Sequence, residues 1–365
     1  QAYGRFRRVT APATYVMSRS DAPQSATFEL GEPLTLSILV EVARGERKVV
    51  LSAGARERVV AARAAVEAIA AAGDEAPAVY GVNTGFGALA EKRISAADVA
   101  KLQKNLVRSH ACGVGPDLSE IEVRSMMLLR AQVVALGHSG VRAEVVDLLV
   151  AMLNAGVHPR IPCQGSVGAS GDLAPLAHLA LALIGEGEAY HGGTRMPAAD
   201  ALDRAGLTPV VLAAKEGLAL INGTQYMTGL GGLAVARAQA LTTLADIAGA
   251  MSLEALKGSK RPFDERLMQV RPHPGQAISA ANLNLLLSES EIMESHKDCG
   301  KVQDPYSLRC MPQVHGATRD VLTWVSHTLA VELNSVTDNP TIFVGDDGAE
   351  PISGATVNGH PVAPA

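Results

Sequence analysis

Apolar positions recur along most of this chain at the spacing of a buried helix face. The first patterned segment runs from Phe28 to Val42. From Ser52, the residues Val59, Ala62, Val66 and Ile69 or Ala70 fall on one side of a helix in an alanine-rich background that ends at Gly73. A glycine-punctuated loop follows, Tyr80 to Gly87, and then two helices announced by S-x-x-D/E capping boxes at Ser95 to Asp98 and Ser119 to Glu122. A further helix runs from about Arg142 to Gly156, after which Pro159, Pro162 and the small-residue run Gln164 to Gly171 break the pattern. Helix resumes near Asp172, and a Gly- and Pro-rich linker covers about 185–210. Long apolar patterns return from Ala213 to Leu256 and from about Val314 to Val336, lengths that suit a bundle of helices. Strand signals are few, for example Lys48 to Leu51 and Thr341 to Val344, and no internal repeat is found. The expected fold is therefore mainly α, a long-helix bundle with a smaller, loop-rich N-terminal region containing short strands. The expected division is a disordered tail over 1–27, an N-terminal region over 28–225 and a central long-helix bundle over 226–365.

Composition narrows the classes of function. The chain has 365 residues, more than the roughly 250–300 that a single core serves well, so two packed regions or one long helical body are expected. Aromatic residues are only 3%, which leaves Ala, Leu and Val to fill close-packed helices and disfavours an all-β fold. Lys+Arg number 32 against 37 Asp+Glu, scattered along the chain, and give no electrostatic footprint for a nucleic acid or an anionic membrane surface. Lys215 and Glu216, or His178 and Glu186, interrupt every apolar run that approaches a membrane span. Cys112, Cys163, Cys299 and Cys310 form no C-x-x-C pair, which fits a reducing, cytoplasmic setting. The first residue is Gln1 and the basic opening lacks the apolar stretch of a secretory signal, so Met17 is a candidate start.

The chemistry concentrates in Gly165-Ser166-Val167-Gly168-Ala169-Ser170-Gly171-Asp172, which continues through Leu173 to His178. A nucleophile elbow is excluded because G-x-S-x-G needs glycine where Asp172 stands, and no Gly-Lys-Ser/Thr follows a glycine run to make a phosphate loop. The ten histidines show no H-E-x-x-H or comparable ligand spacing, so no metal is expected, and no nucleotide. Two readings of Ala169-Ser170-Gly171 remain. One is a small-residue turn feeding a helix N-capped by Asp172. The other is covalent: Gly171, with no side chain, lets its nitrogen approach the Ala169 carbonyl, and loss of water from the ring and from Ser170 leaves an exocyclic methylene. That product is an electrophile, which no ordinary side chain supplies.

The surrounding residues resemble the aromatic amino-acid ammonia-lyases, whose Ala-Ser-Gly cyclises to 4-methylideneimidazol-5-one (MIO). GSVGASGDLAPLAH at Gly165 to His178 is similar to the family signature. YGVNTGFG at Tyr80 to Gly87, EGLALINGTQ at Glu216 to Gln225, KVQDPYSLRC at Lys301 to Cys310 and SVTDNP at Ser335 to Pro340 follow in the family's order. The resemblance covers about Phe28 to Phe343. It implies that Ala169, Ser170 and Gly171 form the electrophile and that Tyr80 is the catalytic base, in a loop that Gly81, Gly85 and Gly87 allow to open and close. A phenol serves as a base at neutral pH only where neighbouring charge or hydrogen bonds stabilise its anion. The resemblance further implies that Arg309 grips the substrate carboxylate, as a planar fork would. It assigns Asn222, Gln303 and Tyr306 to polarising the ring carbonyl and positioning the amine. It also implies a homotetramer with sites built from several subunits.

Substrate choice rests on the pair after Asn105 to Val107, where histidine lyases carry Ser-His, tyrosine lyases His-Leu and phenylalanine lyases Phe-Leu. This chain reads Ser109-His110, so the resemblance implies L-histidine deamination to trans-urocanate, with His110 binding the substrate ring. A lyase or aminomutase acting on tyrosine or phenylalanine is the alternative, as is an inactive lyase fragment. Two departures bear on this. Family members continue past Ala365, so the chain reads as C-terminally truncated, and where histidine lyases read I-S-G-G-N-F-H-G this chain has Ile352-Ser353-Gly354-Ala355-Thr356-Val357-Asn358-Gly359.

Overall fold

The computed structural model describes residues 27–73, 76–95, 97–168 and 171–365. The tail reading therefore falls, except for Thr27, outside the described residues, as do Ala169 and Ser170. The chain divides into two units, the larger comprising Ser25–Ala234 and His327–Ala365, the smaller containing Val235–Ser326. The secondary structure is mainly α, as the periodicity predicts.

The larger unit opens with β1 (Thr27–Leu30), α1 (Leu36–Ala43), β2 (Lys48–Leu51) and α2 (Ala53–Ala71), with β1 and β2 paired in parallel. Next come α3 (Val99–His110), β3 (Val114–Asp117), α4 (Glu120–Ala135), α5 (Ala143–Ala155), β4 (Val157–Pro159) and β5 (Pro162–Gln164). They are followed by α6 (Leu173–Leu183), β6 (Glu188–His191), β7 (Thr194–Pro197), α7 (Ala198–Arg204) and α8 (Glu216–Ile221). Helix α9 (Gln225–Ala255) begins in the larger unit and runs into the smaller one. The smaller unit adds α10 (Glu265–Val270), α11 (Pro274–Leu286), α12 (Glu291–Ser295), α13 (Tyr306–Arg309) and most of α14 (Met311–Glu332). Strands β8 (Thr341–Gly345) and β9 (Gly348–Ile352) close the larger unit as an antiparallel pair.

Helix α4 is the centre of the larger core. Every residue from Val123 to Ala135 is buried, so its sequence carries no polar face and instead places Arg124, Arg130 and Gln132 inside. The capping box read at its start is present: Ser119 accepts from the Glu122 amide and the Glu122 carboxylate accepts from the Ser119 amide. Ser52 likewise caps α2. The Ser95 box is different. Ser95 Oγ donates to the Asp98 carboxylate at 2.8 Å within a turn closed by Asp98 N to Ser95 O, and α3 starts only at Val99.

The region read as a linker, 185–210, is structured. Strands β4, β6 and β7 form one antiparallel sheet, and Gly192 and Gly193, at φ 57° and 74°, are the hairpin turn between His191 and Thr194. The apolar pattern from Ala213 to Leu256 is also broken, between α8 and α9, at Asn222–Thr224. The smaller unit has its own core, built on Phe263, Leu253, Leu283, Met268 and Met311. There Asp246, 1% exposed, accepts from His315 Nδ1 at 2.8 Å, Arg319 Nη2 at 2.6 Å and Asn282 Nδ2 at 2.8 Å. Among the described residues no helix is long and apolar enough to cross a membrane.

Candidate active site

The site of the larger unit is organised around α8. Its first residue, Glu216, is fully buried and receives the Arg142 fork, Nε to Oε1 and Nη2 to Oε2, both at 2.8 Å, together with the Arg142 and Ala213 amides. Three candidate segments meet this helix. Helix α3, which ends at His110, is tied to it by Gly217 N donating to Gln103 Oε1 at 2.9 Å. The Tyr80 loop lies so close that a Cβ on Gly81 would fall 2.3 Å from Leu218 Cδ2. Asn222 closes the C-terminal end of α8, with its amide bonded to the Leu218 carbonyl.

Beyond Asn222 the chain turns through Gly223, whose φ of 152° a side chain rarely adopts, before α9 begins. Gly171 stands directly against that turn. A Cβ on Gly171 would lie 2.4 Å from the Gly223 carbonyl oxygen and 3.0 Å from that of Val357, so only glycine fits, and its φ of 77° requires glycine as well. The next residue, Asp172, donates its amide to Gly223 O at 2.7 Å.

Asp172 does not act as the N-cap of α6 with its side chain. Its carboxylate reaches across the turn instead, accepting from the Tyr226 and Met227 amides of the first turn of α9 at 2.8 and 3.0 Å and from Ser166 Oγ at 2.6 Å. Complete burial raises its pKa above the ordinary carboxylate value, against these three bonds, which favour the anion.

Buried charge lies beneath the turn. Arg130 of α4, 0% exposed, donates from Nη1 to the Asn222 carbonyl and, at 3.2 Å, to Gln225 Oε1. Burial lowers its pKa to about 10, opposed by the attraction of Asp338, so it stays protonated at neutral pH. Lys215, also fully buried, donates to Asp338 Oδ2 at 2.8 Å; burial lowers its pKa, and Asp338 opposes that shift. The Asn222 side chain donates to the Asn339 carbonyl at 3.0 Å, which links the INGTQ turn to the TDNP segment. The segment that departs from the family pattern folds onto the glycine loop, with Gly359 N donating to Gly168 O at 3.0 Å.

Tyr80 is half-buried, edge-on to Phe86 with ring centroids 6.3 Å apart. Its loop is closed by Val79 N to Asn83 Oδ1 at 2.7 Å and Gly81 N to Thr84 Oγ1 at 3.2 Å. Gly81 and Gly85 are thus explained by close approach, to Leu218 and to the Leu89 carbonyl, and not only by freedom to move. His110 ends α3 half-buried, its Nδ1 2.9 Å from the Leu106 carbonyl and 3.1 Å from Ser109 Oγ. A carbonyl can only accept, so the hydrogen-bond network assigns the proton to Nδ1 and leaves Nε2 an acceptor.

Gln303, Tyr306 and Arg309 belong to the smaller unit. Gln303 and Tyr306 are exposed, Tyr306 by 71%, and the Arg309 guanidinium lies 5.3 Å from the Tyr306 ring centre. Arg309 makes no surface ion pair with Asp304: it donates from Nε to the Asp304 backbone carbonyl at 2.9 Å, while the buried Asp304 carboxylate accepts the Ser259 amide at 2.6 Å.

Tyr80, His110, Gly171 and Asn222 thus stand on segments packed around one short helix. The chain matches the family described as aromatic amino acid lyase over residues 34–365. It belongs to that family. Histidine ammonia-lyase of Sorangium cellulosum (strain So ce56) is 69% identical over 337 residues, which cover 92% of this chain and 66% of the relative. Among solved structures, tyrosine aminomutase from Streptomyces globisporus superposes with a TM-score of 0.83 at 39% identity, over 91% of this chain and 65% of that one. Histidine ammonia-lyase from Trypanosoma cruzi gives 0.82 at 40% identity, over 93% and 62%. The chain spans about two thirds of the length of the curated relatives it matches.

Within this aromatic amino acid lyase, Arg130, Lys215 and Asp338 are buried charges at the site to which sequence reasoning gives no role, and Asp172, read from sequence as a helix N-cap, anchors the start of α9 instead. Asp338 lies in a quoted motif, and Arg130 had one local signal, a lone cation inside the apolar run Met126 to Ala131.

Proposed function

We propose that the protein removes ammonia from L-histidine without oxidation, giving trans-urocanate, by means of an MIO ring formed from Ala169, Ser170 and Gly171. The observation that carries the substrate is His110: with Nδ1 held by the Leu106 carbonyl, Nε2 is left to accept the N–H of a substrate imidazole, a donor that a phenyl ring lacks. The fit of the ring is supported by Gly171, pressed against Gly223 where any side chain would collide. When formed, the MIO ring supplies the electrophile that captures the substrate amine or its ring and so makes ammonia expellable.

The rest falls to the chain's own residues. Tyr80 takes the β-proton as the Cα–N bond breaks, and Phe86 fixes its ring edge-on. Asn222, whose side-chain amide donates to the Asn339 carbonyl, is assigned to polarising the ring carbonyl. Arg309 of the smaller unit is assigned to the substrate carboxylate, and Gln303 and Tyr306 of the same unit to neutral hydrogen bonds with the substrate. The whole is proposed to work as a cytoplasmic homotetramer with no metal and no nucleotide.

The test is incubation of the purified chain with L-histidine, L-tyrosine and L-phenylalanine, following ammonia release and the ultraviolet absorbance of each acrylate product. Urocanate from L-histidine alone is the expected result. Coumarate or cinnamate formed faster than urocanate would replace this reading with a tyrosine or phenylalanine lyase. An intact mass showing an unmodified Ala169–Gly171 would replace it with a non-catalytic helical protein.

A further inference from the structure

We propose that Arg130 is a positioning residue for formation of the electrophile: from beneath the Asn222–Gln225 turn it holds Gly223 against Gly171 and thereby fixes the Gly171 nitrogen, the atom that attacks in ring closure. The proposal rests on the reading above that the Ala169–Gly171 tripeptide cyclises.

Three layers stack without a side chain between them. A Cβ on Gly223 would lie 2.8 Å from Arg130 Nη1 and 2.1 Å from Gln225 Oε1, so the guanidinium is in direct contact with the turn. The Gly223 carbonyl of the same turn lies against Gly171 and accepts the Asp172 amide. Displacing Arg130 therefore frees the turn on which Gly171 leans. Gln225 extends the hold, because its Nε2 donates to Thr337 Oγ1 at 2.7 Å while its Oε1 accepts from Arg130.

Packing alone does not call for this cation. Arg130 Nε and Nη2 are buried with no partner among the described residues, an arrangement that an apolar side chain of similar volume would avoid. What the guanidinium adds is a charge-assisted bond to the Asn222 carbonyl, which fixes the Asn222–Gly223 peptide more firmly than a neutral donor could.

Ring closure consumes no reagent from outside the tripeptide. The Gly171 nitrogen joins the Ala169 carbonyl carbon, and the carbonyl oxygen leaves as water with the amide protons of Gly171 and Ser170. The Ser170 hydroxyl then leaves as a second water with its own α-proton, forming the methylene. Since no external reagent enters, the rate depends on how well the attacking nitrogen is held, and loosening it slows closure by roughly 10- to 100-fold.

The experiment compares the wild-type chain with Arg130→Met and Arg130→Lys, reading the mass of the peptide across Gly165 to His178, helix content and melting temperature. The expected result is a two-water deficit in the wild type, its near loss in folded Arg130→Met, and slow or partial dehydration in Arg130→Lys, with melting close to wild type. Folded Arg130→Met that carries the full deficit overturns the Arg130 proposal and leaves the cyclisation reading intact. A wild-type chain without the deficit overturns both. Where Arg130→Met fails to fold, Arg130→Lys decides by the same mass, and failure of both to fold makes Arg130 a folding residue and overturns the proposal.

Discussion

His110 and His158 show how a backbone carbonyl or a cation decides what an imidazole does. His110 spends Nδ1–H on Leu106, so its Nε2 can only accept, and the expected effect of His110→Phe is a loss of roughly 10- to 100-fold in kcat/KM for L-histidine, mostly in KM. Steady-state kinetics on the two proteins checks this; an unchanged KM would remove His110 from the substrate site. His158, 6% exposed, faces Arg124 Nη1 at 3.2 Å, and Arg124 is held by the carbonyls of Val42 and Leu153. Burial pushes the His158 pKa down to about 4, with Glu120 opposing and Arg124 adding to the shift. The unfolded chain takes up this proton near pH 6.5 while the native one refuses it until about 4, so stability falls as pH drops through that window, by roughly 2–4 kcal/mol in full. Urea midpoints measured from pH 7.5 to 4.5 are expected to fall less in His158→Gln than in wild type, and equal slopes would refute the assignment.

At the scale of elements, what each helix end needs is met either by its neighbours in sequence or from far away, and only the first kind is legible. Ser52 and Ser119 cap their own helices from one residue before the start, and the capping-box pattern names Ser119. Asp172 serves a helix 53 residues later in sequence, the first turn of α9 at Gln225, a distance at which no periodicity speaks. Its own helix, α6, begins without a side-chain cap bond. The same reason hides β6 and β7, whose glycines look like a linker until their pairing across Gly192–Gly193 is seen. Asp172→Ala leaves two amides at the positive end of α9 and Ser166 Oγ without their acceptor, and is expected to cost about 2–3 kcal/mol. Ser119→Ala, a local cap, costs about 1 kcal/mol. Chemical denaturation of the two variants side by side checks the ranking, and equal losses would mean that Asp172 is not what anchors α9.

At the scale of the molecule, the motifs pointed to Tyr80, His110, Gly171 and Asn222, and the fold packs their segments around α8; what no motif conveyed is which apolar positions this chain itself covers. In the smaller unit Leu241, Leu244 and Met251 of α9 recur at helical spacing, as do Val314, Val321 and Trp324 of α14, yet they are 63%, 56%, 66%, 59%, 59% and 50% exposed. A binary pattern records that a face is apolar, and it reads the same whether that face is buried by the chain or by another copy. In the proposed homotetramer these faces would be the surfaces for self-association, and a self-complementary contact needs only one such patch per subunit. Trp324 is the only tryptophan in the sequence, so its emission reports this region alone. Dilution of the chain is expected to shift the emission to the red as sedimentation shows smaller species, and Val321→Glu, one turn away, to give the red-shifted, smaller species at every concentration. Emission independent of concentration together with a monomer throughout would show that the exposed faces stay in water, and the tetramer would then be withdrawn for this chain.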